Sequence, residues 1–267
     1  MADAAHSKRT LHRLALHRRD SIGAAYHVLT FHAEQPLAVE AGQFAMVRGA
    51  AWGDAPLLPR PMSLLTGGHR PSILIKVVGE GTRRMAHASG GEPFDLLAPL
   101  GIPWSACPTD RTPLLVAGGV GVAPLVFLAR KLGERKALSI YGGRTADDLP
   151  MHEELAALGE LRVATEDGSR GTRGRVTVAL EVALDELARA ATPPKVYCCG
   201  PDRMMAAVAA LCATRGVDCE VSLETPMACG YGVCLGCPVK KSAGGYLYAC
   251  TEGPCIAAER IDWQATR

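Results

Sequence analysis

Between residues 108 and 223, short apolar segments alternate with amphipathic ones, and this alternation restricts the fold more than any other feature of the chain. "PLLVAG" precedes "PLVFLARKLG", "ALSIYGG" precedes "MHEELAAL", and "KVYCCG" precedes "PDRMMAAVAALCATRG". Apolar runs of strand length, each followed by helical periodicity, are typical of α/β units with parallel strands. We therefore predict an α/β domain with a doubly wound parallel sheet at residues 108–223.

The sequence on either side lacks this alternation. Residues 8–107 contain short strand-like runs separated by turns, such as "AAYHVLTFHA" and "SILIKVVG", which predict an antiparallel β-barrel. Residues 224–267 are rich in cysteine, and so short a segment needs a metal centre to hold a core. The predicted domains are a barrel at 8–107, the α/β domain at 108–223 and a metal-binding segment at 224–267.

The composition is that of a soluble globular protein. Of the 267 residues, 48% are hydrophobic and 21% are charged, and the formal net charge is +2. This charge gives no reason to expect nucleic acid or an acidic membrane as a partner. The uncharged run from Thr112 to Ala129 contains "AGGVGVAP", which fits a strand, loop and helix better than a membrane span. Ten cysteines without an apolar signal segment predict a reducing, cytoplasmic location.

Two stretches of the barrel are candidates for phosphate binding. "RPMS", Arg60 to Ser63, offers a guanidinium fork that can pair with phosphate oxygens. "VVGEGT", Val77 to Thr82, is a Gly-rich turn entering a helix, and its backbone N–H groups suit an anion. Each pattern also occurs in ordinary turns and strand starts, so the hypothesis depends on finding both within one barrel.

The first strand of the α/β domain ends in a candidate nucleotide loop. A Gly-rich loop between a strand and a helix is the context that cradles a pyrophosphate. The loop residues are Gly118, Gly119, Gly121 and Pro124. After the second strand, Arg144 precedes Asp147 and Asp148. Because Arg tolerates a 2′-phosphate and Asp favours NAD, the choice between NAD and NADP stays open.

A third candidate stretch is Cys199, Gly200 and Pro201, at the carboxyl end of the fourth strand. Ligands of open α/β sheets bind at this edge, so the nicotinamide is expected here. Cys199 could act as a nucleophile, but no His is placed to activate its thiol, which favours packing beside a ring. No catalytic residue is therefore assigned with certainty. Cys198 should face the other side of the sheet and lie in the core.

The C-terminal segment carries four cysteines in the pattern C-x₄-C-x₂-C followed, after twelve residues, by a fourth. They are Cys229, Cys234, Cys237 and Cys250. Three thiolates crowded into nine residues resemble the plant-type arrangement for a [2Fe–2S] cluster more than the two paired knuckles of structural zinc. Zinc nevertheless remains the competing metal. The other cysteines, at positions 107, 212, 219 and 255, are interpreted as packing residues.

These motifs together resemble a known family. "RPMS", "ILIKVVGEGT", "LLVAGGVGVAPL", "TEDGS", "YCCGP" and "LETPMACGYGVCLGCPVK" are similar to the iron–sulfur electron-transfer subunit of NAD-dependent (class 1B) dihydroorotate dehydrogenase. That family lies within the ferredoxin reductase-like superfamily of FAD and NAD enzymes. The similarity extends from about residue 10 to residue 256, and the cysteine block beside "TEDGS" is its most specific part.

The resemblance implies a set of cofactor contacts. FAD is expected at Arg60, Pro61, Met62, Ser63, Leu74, Ile75, Lys76, Gly81 and Thr82, and [2Fe–2S] at Cys229, Cys234, Cys237 and Cys250. The motifs themselves predict NAD at Gly118, Gly119, Gly121, Cys199, Gly200 and Pro201. Two residues depart from the superfamily. Lys76 stands where Arg is usual, which replaces a guanidinium fork with a point charge. Met62 stands where many members stack an aromatic ring on the flavin.

Electron counting then orders the cofactors. Nicotinamide exchanges two electrons as a hydride, an iron–sulfur cluster exchanges one, and a flavin can do both. The resemblance implies a catalytic partner that holds FMN and oxidises dihydroorotate in pyrimidine biosynthesis, within a heterotetramer. Two alternatives stay open. One is a subunit of another complex, of the ferredoxin:NADP⁺ transhydrogenase or sulfhydrogenase type, and the other is a non-enzymatic module with structural zinc.

Overall fold

The first part of the chain forms a closed barrel of six antiparallel strands. The computed structural model describes residues 9–265, so the predicted boundaries at residues 8 and 267 lie outside the described residues. The strands close in the order β1-β2-β5-β4-β3-β6. The elements are β1 (Thr10–Ile22), β2 (Tyr26–His32), β3 (Phe44–Gly49), β4 (Arg60–Thr66), β5 (Ser72–Lys76), α1 (Glu80–His87) and β6 (Pro93–Leu100).

Alternating burial explains how the barrel strands form. In β2, Leu29 and Phe31 are buried, whereas Thr30 is half-buried and His32 is exposed. Successive side chains of a strand point to opposite faces, so this pattern turns one face toward the barrel interior. The ring of Phe31 meets Phe94 of β6 edge-on, with 5.5 Å between the ring centroids. Aromatic pairs favour this arrangement, which ties β2 to β6 across the barrel.

A seven-stranded sheet follows in the order β10-β9-β8-β7-β11-β12-β15, in which β15 is Cys255–Ala257 of the C-terminal segment. All neighbouring strands are parallel except β12 and β15. This arrangement confirms the predicted doubly wound sheet. The elements are β7 (Thr112–Gly118), α2 (Val122–Leu132), β8 (Leu138–Gly143), α3 (His152–Leu158), β9 (Glu160–Thr165), β10 (Thr172–Arg173), α4 (Val176–Arg189), β11 (Pro194–Cys199), α5 (Asp202–Thr214) and β12 (Asp218–Ser222).

The sheet separates two hydrophobic cores. On one face, Leu115 and Ala117 of β7 pack with α2 and α3, and on the other face Leu114 and Val116 pack with α4 and α5. A strand covered on both faces must be apolar throughout, which explains the unbroken hydrophobic run in β7.

Two adjacent cysteines of β11 also divide between these cores. Cys198 lies in the core with α4 and α5, and Cys199 lies in the core with α2. This confirms the prediction that Cys198 faces away from Cys199 into the core.

The cysteine-rich segment is anchored to the sheet. It contains β13 (Pro238–Lys240), β14 (Tyr246–Tyr248), α6 (Ala249–Glu252) and β15 (Cys255–Ala257). Strands β13 and β14 form a small hairpin, and β15 pairs antiparallel with β12 at the edge of the sheet. Across residues 9–265, every helix is too short or too polar to cross a bilayer.

Candidate functional site

A cavity of about 360 Å³ opens against β4 and β5 of the barrel. We call it the barrel cavity. Its wall includes the predicted residues Pro61, Met62, Ser63, Leu74, Ile75, Lys76 and Thr82. Strands β4 and β5 are antiparallel neighbours, which is why two motifs separated in sequence share one wall. The remaining wall comes from Phe44, Val78, Val120, Ala123, Pro254 and the stretch from Leu223 to Met227.

Two predicted residues, Arg60 and Gly81, lie outside this wall and contact each other. A Cβ added at Gly81 would lie 2.8 Å from Nε of Arg60, so the absent side chain leaves room for the guanidinium. The Thr82 hydroxyl accepts the N–H groups of Val78 and Gly79, at 3.0 and 3.2 Å. These two N–H groups are therefore occupied, and the donors left for a phosphate are those of the first turn of α1.

A second cavity, of about 530 Å³, lies at the carboxyl edge of the parallel sheet. We call it the sheet cavity. Its wall includes three predicted residues, Gly118, Gly119 and Pro201. Gly121, Cys199 and Gly200 are not part of this wall. They pack against each other beside it, and a Cβ at Gly121 would be 2.6 Å from the Cys199 carbonyl oxygen. Gly121 therefore supports the position of the loop and does not itself face the cavity.

Sequence reasoning missed several residues of the sheet cavity. Glu166 follows β9, Arg175 and Thr177 lie at the start of α4, and Arg203 lies at the start of α5. Within residues 9–265, no hydrogen bond or ion pair is seen for the Glu166 carboxylate. The available signal was topological, because residues that follow the parallel strands meet at one edge of the sheet.

A polar contact joins the two cavities. Lys76 of the barrel donates to Oδ1 of Asp148 at 2.9 Å, and the Tyr26 hydroxyl donates to the same oxygen at 2.9 Å. Arg144 donates to Oδ2 at 3.2 Å. Burial alone would raise the pKa of Asp148, but these donors outweigh it and lower the pKa to about 2. Asp148 therefore carries a full negative charge between the barrel and the sheet.

Cys199 is not placed to act as a nucleophile. Its side chain is 1% exposed, and burial raises the pKa of its thiol well above the ordinary value. A nucleophilic cysteine needs the thiolate form, which this environment disfavours. The packing interpretation of Cys199 is the one that the structure supports.

The four cysteines of the C-terminal segment lie together as two pairs. The thiols of Cys229 and Cys234 are within hydrogen-bonding reach of each other, and so are those of Cys237 and Cys250. Among residues 9–265, no three His, Cys, Asp or Glu side chains surround a single point closely enough to hold one metal ion. Four cysteine thiols grouped in this way fit a binuclear cluster, in which each iron takes two thiolates.

Backbone N–H groups point at these sulfurs. The N–H groups of Tyr231 and Cys234 donate to Sγ of Cys229 at 3.5 Å, and Gly236 donates to Sγ of Cys234 at 3.4 Å. Burial opposes ionisation of Cys229, but the backbone donors outweigh it and lower the pKa of its thiol to about 6. Backbone donors that stabilise the Cys229 thiolate suit iron and sulfide, which bind through charged sulfur.

The segment just before Cys229 forms part of the barrel cavity. Leu223, Glu224, Thr225, Pro226 and Met227 all line that cavity, and Cys229 follows two residues later. Among the described residues, the buried hydroxyl of Thr225 has no hydrogen-bond partner. An orphaned hydroxyl in the wall of a cavity fits an occupant that carries polar atoms, as a flavin ring does.

The two ends of the cysteine cluster differ in exposure. Cys237 and Cys250 are buried, whereas Cys234 is exposed. Around Cys234, Tyr231, Val233 and Leu235 are 40%, 72% and 52% exposed. Contiguous exposed apolar residues mark interaction surfaces more often than chance, so this end of the cluster is the accessible one.

Comparison with known proteins identifies two parts of the chain. Residues 224–262 match the iron–sulfur cluster binding domain of dihydroorotate dehydrogenase B. Residues 115–210 match an oxidoreductase NAD-binding domain. These matches cover the cysteine pairs and most of the sheet cavity, so they identify the chain as an oxidoreductase component with an iron–sulfur and an NAD-binding domain.

Relatives and solved structures extend the similarity to the barrel. The chain is 41% identical over 229 residues to the dihydroorotate dehydrogenase B (NAD(+)) electron transfer subunit of Geobacillus kaustophilus strain HTA426, covering 82% of this chain and 86% of the relative. It is 35% identical to the probable electron transfer subunit of Methanopyrus kandleri, covering 88% and 86%. A structure of an NADH-dependent reduced ferredoxin-NADP oxidoreductase, studied for flavin-based electron bifurcation, superposes with a TM-score of 0.80 at 28% identity over 94% of this chain and 90% of the other.

Family models, sequence relatives and fold thus agree along most of the chain, and they confirm the resemblance that the motifs predicted. The chain belongs to the family of dihydroorotate dehydrogenase B electron transfer subunits.

Proposed function

We propose that this chain transfers electrons between a catalytic dihydroorotate dehydrogenase subunit and NAD⁺ through [2Fe–2S] and FAD, in pyrimidine biosynthesis. The partner would hold FMN, and the assembly would be a heterotetramer. Support comes from the relatives, which are named as electron transfer subunits of the NAD(+)-linked enzyme. The three groups supply complementary chemistry, because the cluster exchanges single electrons, nicotinamide exchanges a hydride, and flavin converts between the two.

One observation carries this proposal: the segment from Leu223 to Met227 lines the barrel cavity and leads directly to Cys229. A flavin in that cavity and a cluster on the cysteines would be separated by only a few residues of chain. The barrel cavity also adjoins the sheet cavity at Lys76. The order nicotinamide, flavin and cluster that electron counting demands is therefore compatible with the order of the sites in space.

Within this proposal, the chain's own residues bind and orient the cofactors. Pro61, Met62 and Ser63 of β4 and Leu74, Ile75 and Lys76 of β5 would hold the flavin, with Arg60, Gly81 and Thr82 toward its phosphates. Gly118, Gly119 and Pro201 would hold NAD, supported from behind by Gly121, Cys199 and Gly200. Cys229, Cys234, Cys237 and Cys250 would bind the two irons.

The exposed end of the cluster is proposed as the face that meets the partner. It consists of Cys234 with Tyr231, Val233 and Leu235, all of them exposed. Covering these side chains would remove apolar surface from water and shorten the electron path to the partner.

The deciding experiment is anaerobic purification from the native host, with identification of the co-purifying proteins and a visible spectrum of the complex. The proposal expects an FMN-containing dihydroorotate dehydrogenase, with FAD and iron–sulfur absorption. A co-purifying partner of the transhydrogenase or sulfhydrogenase type would instead make this chain a subunit of such a complex, and the proposal would be wrong. A colourless protein with tightly bound zinc would contradict electron transfer altogether.

The domain limits and the cellular location are also proposals. The limits 8–107, 108–223 and 224–267 can be tested by limited proteolysis, which should cut first near residue 107, because residues 108–110 are exposed. The cytoplasmic location agrees with the state of the ten cysteines, none of which forms a disulfide bond. Cell fractionation of the native host would test it.

A further inference from the structure

Lys76 has a position that no other described residue shares. It lines both the barrel cavity and the sheet cavity, and it is the one residue common to the two walls within residues 9–265. Its ammonium also lies 5.0 Å from the centre of the Tyr26 ring. A positive charge at this junction acts on whatever occupies either cavity, because Coulomb interactions strengthen as the distance between charges falls.

The charge of Lys76 is held by a residue of the other domain. Asp148, which follows β8, accepts from the ammonium at 2.9 Å, and its side chain is only 15% exposed. Tyr26 donates to the same carboxylate oxygen, and Arg144 donates to the other one. The neighbouring Asp147 is exposed, so the sequence pair Asp147–Asp148 divides into one solvated and one bridging carboxylate.

Lys76 supplies the positive charge in the described wall of the barrel cavity. The charged side chains of its described wall are Lys76 and Glu224. Glu224 is exposed, so solvent screens its charge. Two-electron reduction of a flavin with uptake of one proton leaves the ring with one more negative charge. A cation in the cavity wall therefore favours the reduced flavin, and a carboxylate that binds this cation limits the effect.

We propose that Asp148 is a positioning residue that holds the Lys76 ammonium in the shared wall of the two cavities and thereby sets the reduction potential of the flavin. This inference rests on the proposed flavin site. It means that a residue of the nicotinamide domain affects the reduction potential of the flavin through one side-chain contact. It also assigns a role to the Lys that replaces the usual Arg, because a single ammonium can be directed by one carboxylate.

The test compares the FAD midpoint potentials of holoproteins that carry FAD and the cluster, by spectroelectrochemical titration. The variants are the wild type, Asp148→Asn, Lys76→Met and the double variant, with Asp147→Asn as the matched control. Asp148→Asn should raise the potential, because the ammonium is released toward the cavity. Lys76→Met should lower it, and Asp147→Asn should leave it unchanged.

The double variant separates positioning from direct charge. If Asp148 acts through Lys76, replacing Asp148 in the Lys76→Met background should produce less than half of the shift seen with Lys76 present. Equal shifts in both backgrounds would mean that Asp148 acts only by its own charge, and this would overturn the proposal. An unchanged potential in Asp148→Asn would also overturn it.

Should Asp148→Asn lose its flavin during purification, Tyr26→Phe provides a charge-neutral test. Tyr26 hydrogen-bonds both Lys76 and Asp148, so loss of its hydroxyl changes how the ammonium is held and should shift the potential without removing a charge. An unchanged potential would count against the proposal. If the wild type itself bound no FAD, the proposed function would fail, whereas a flavin-loaded wild type with insensitive variants would refute only the role of Asp148.

Discussion

The close approach of Gly121 to the end of β11 makes a quantitative prediction. Gly121 has φ −61° and ψ −4°, which alanine adopts without strain, so Gly121→Ala tests space alone. The added Cβ would lie 2.6 Å from the carbonyl oxygen of Cys199, 2.7 Å from its carbonyl carbon and 2.7 Å from the Gly200 nitrogen. Non-bonded carbon atoms prefer about 3.5–4.0 Å. All three neighbours are backbone atoms, so no side-chain rotation can relieve the contact.

The expected cost follows from these distances. The loop or the strand end must move by about 1 Å to restore normal separations. Overpacking of this kind costs about 1–3 kcal/mol, and a loss of about 2 kcal/mol lowers the melting temperature by roughly 4–8 °C in a chain of this size. The displaced backbone belongs to Cys199 and Gly200, next to the wall of the sheet cavity. We therefore also expect NAD⁺ affinity to fall by about tenfold, equivalent to about 1.4 kcal/mol.

Differential scanning calorimetry and NAD⁺ titration of the holoprotein would measure both effects. Gly90→Ala is the matched control, because the nearest atom to its added Cβ is 3.8 Å away. That substitution should change stability by less than about 0.5 kcal/mol. If Gly121→Ala melted and bound NAD⁺ as the control does, the close approach would not constrain this loop and the reasoning would be wrong.

Three further predictions concern the charged and sulfur-bearing groups. Replacing Cys234 by Ala should remove the iron–sulfur absorption while FAD stays bound, and a spectrum that keeps the cluster bands would contradict its role as a ligand. Glu166→Lys should raise the ratio of NADP⁺ to NAD⁺ affinity by about tenfold, since it replaces a carboxylate that repels a 2′-phosphate; an unchanged ratio in equilibrium titrations would exclude this role. The lowered pKa of Asp148 should stabilise the fold by about 1–2 kcal/mol, allowing for solvent screening. Because the folded-state pKa is depressed, this stability is present above about pH 4 and lost as the pH falls through about 2, so unfolding curves of Asp148→Asn should lack that component.

Much of this architecture was predictable because it depends on local patterns. The apolar run of β7, followed by helical periodicity, indicated a parallel strand, and the short strand-like run around β2, bounded by turns, indicated a barrel strand. The position of Cys198 also followed from a period of two along β11. These are properties of a residue and its near neighbours, and they do not depend on how distant parts of the chain pack.

The candidate sites were predictable only in part. The motif "RPMS" predicted a guanidinium for phosphate oxygens, and the structure adds that Arg60 packs on Gly81. "VVGEGT" indicated free backbone donors, but the Thr82 hydroxyl occupies two of them. In both cases a motif residue is engaged inside the protein: Arg60 of "RPMS" packs on Gly81 of "VVGEGT", and Thr82 bonds to the turn of its own motif. Composition and spacing do not report such internal contacts, because they depend on rotamers and on the exact turn geometry.

The junction between the cavities was the least predictable feature, and its cause is topological. Tyr26 and Lys76 lie on paired strands of the barrel, whereas Asp148 follows a strand of the sheet 72 residues beyond Lys76. No periodicity connects positions so far apart, and either carboxylate of Asp147–Asp148 satisfied the sequence pattern equally well. Burial distinguishes them, because only the carboxylate that meets the ammonium can leave water without a large cost. The packing of one domain on the other therefore determines which acidic residue bridges them. The Lys76–Asp148 contact at that junction holds the one charged side chain that lines both cavities in the described part of the chain.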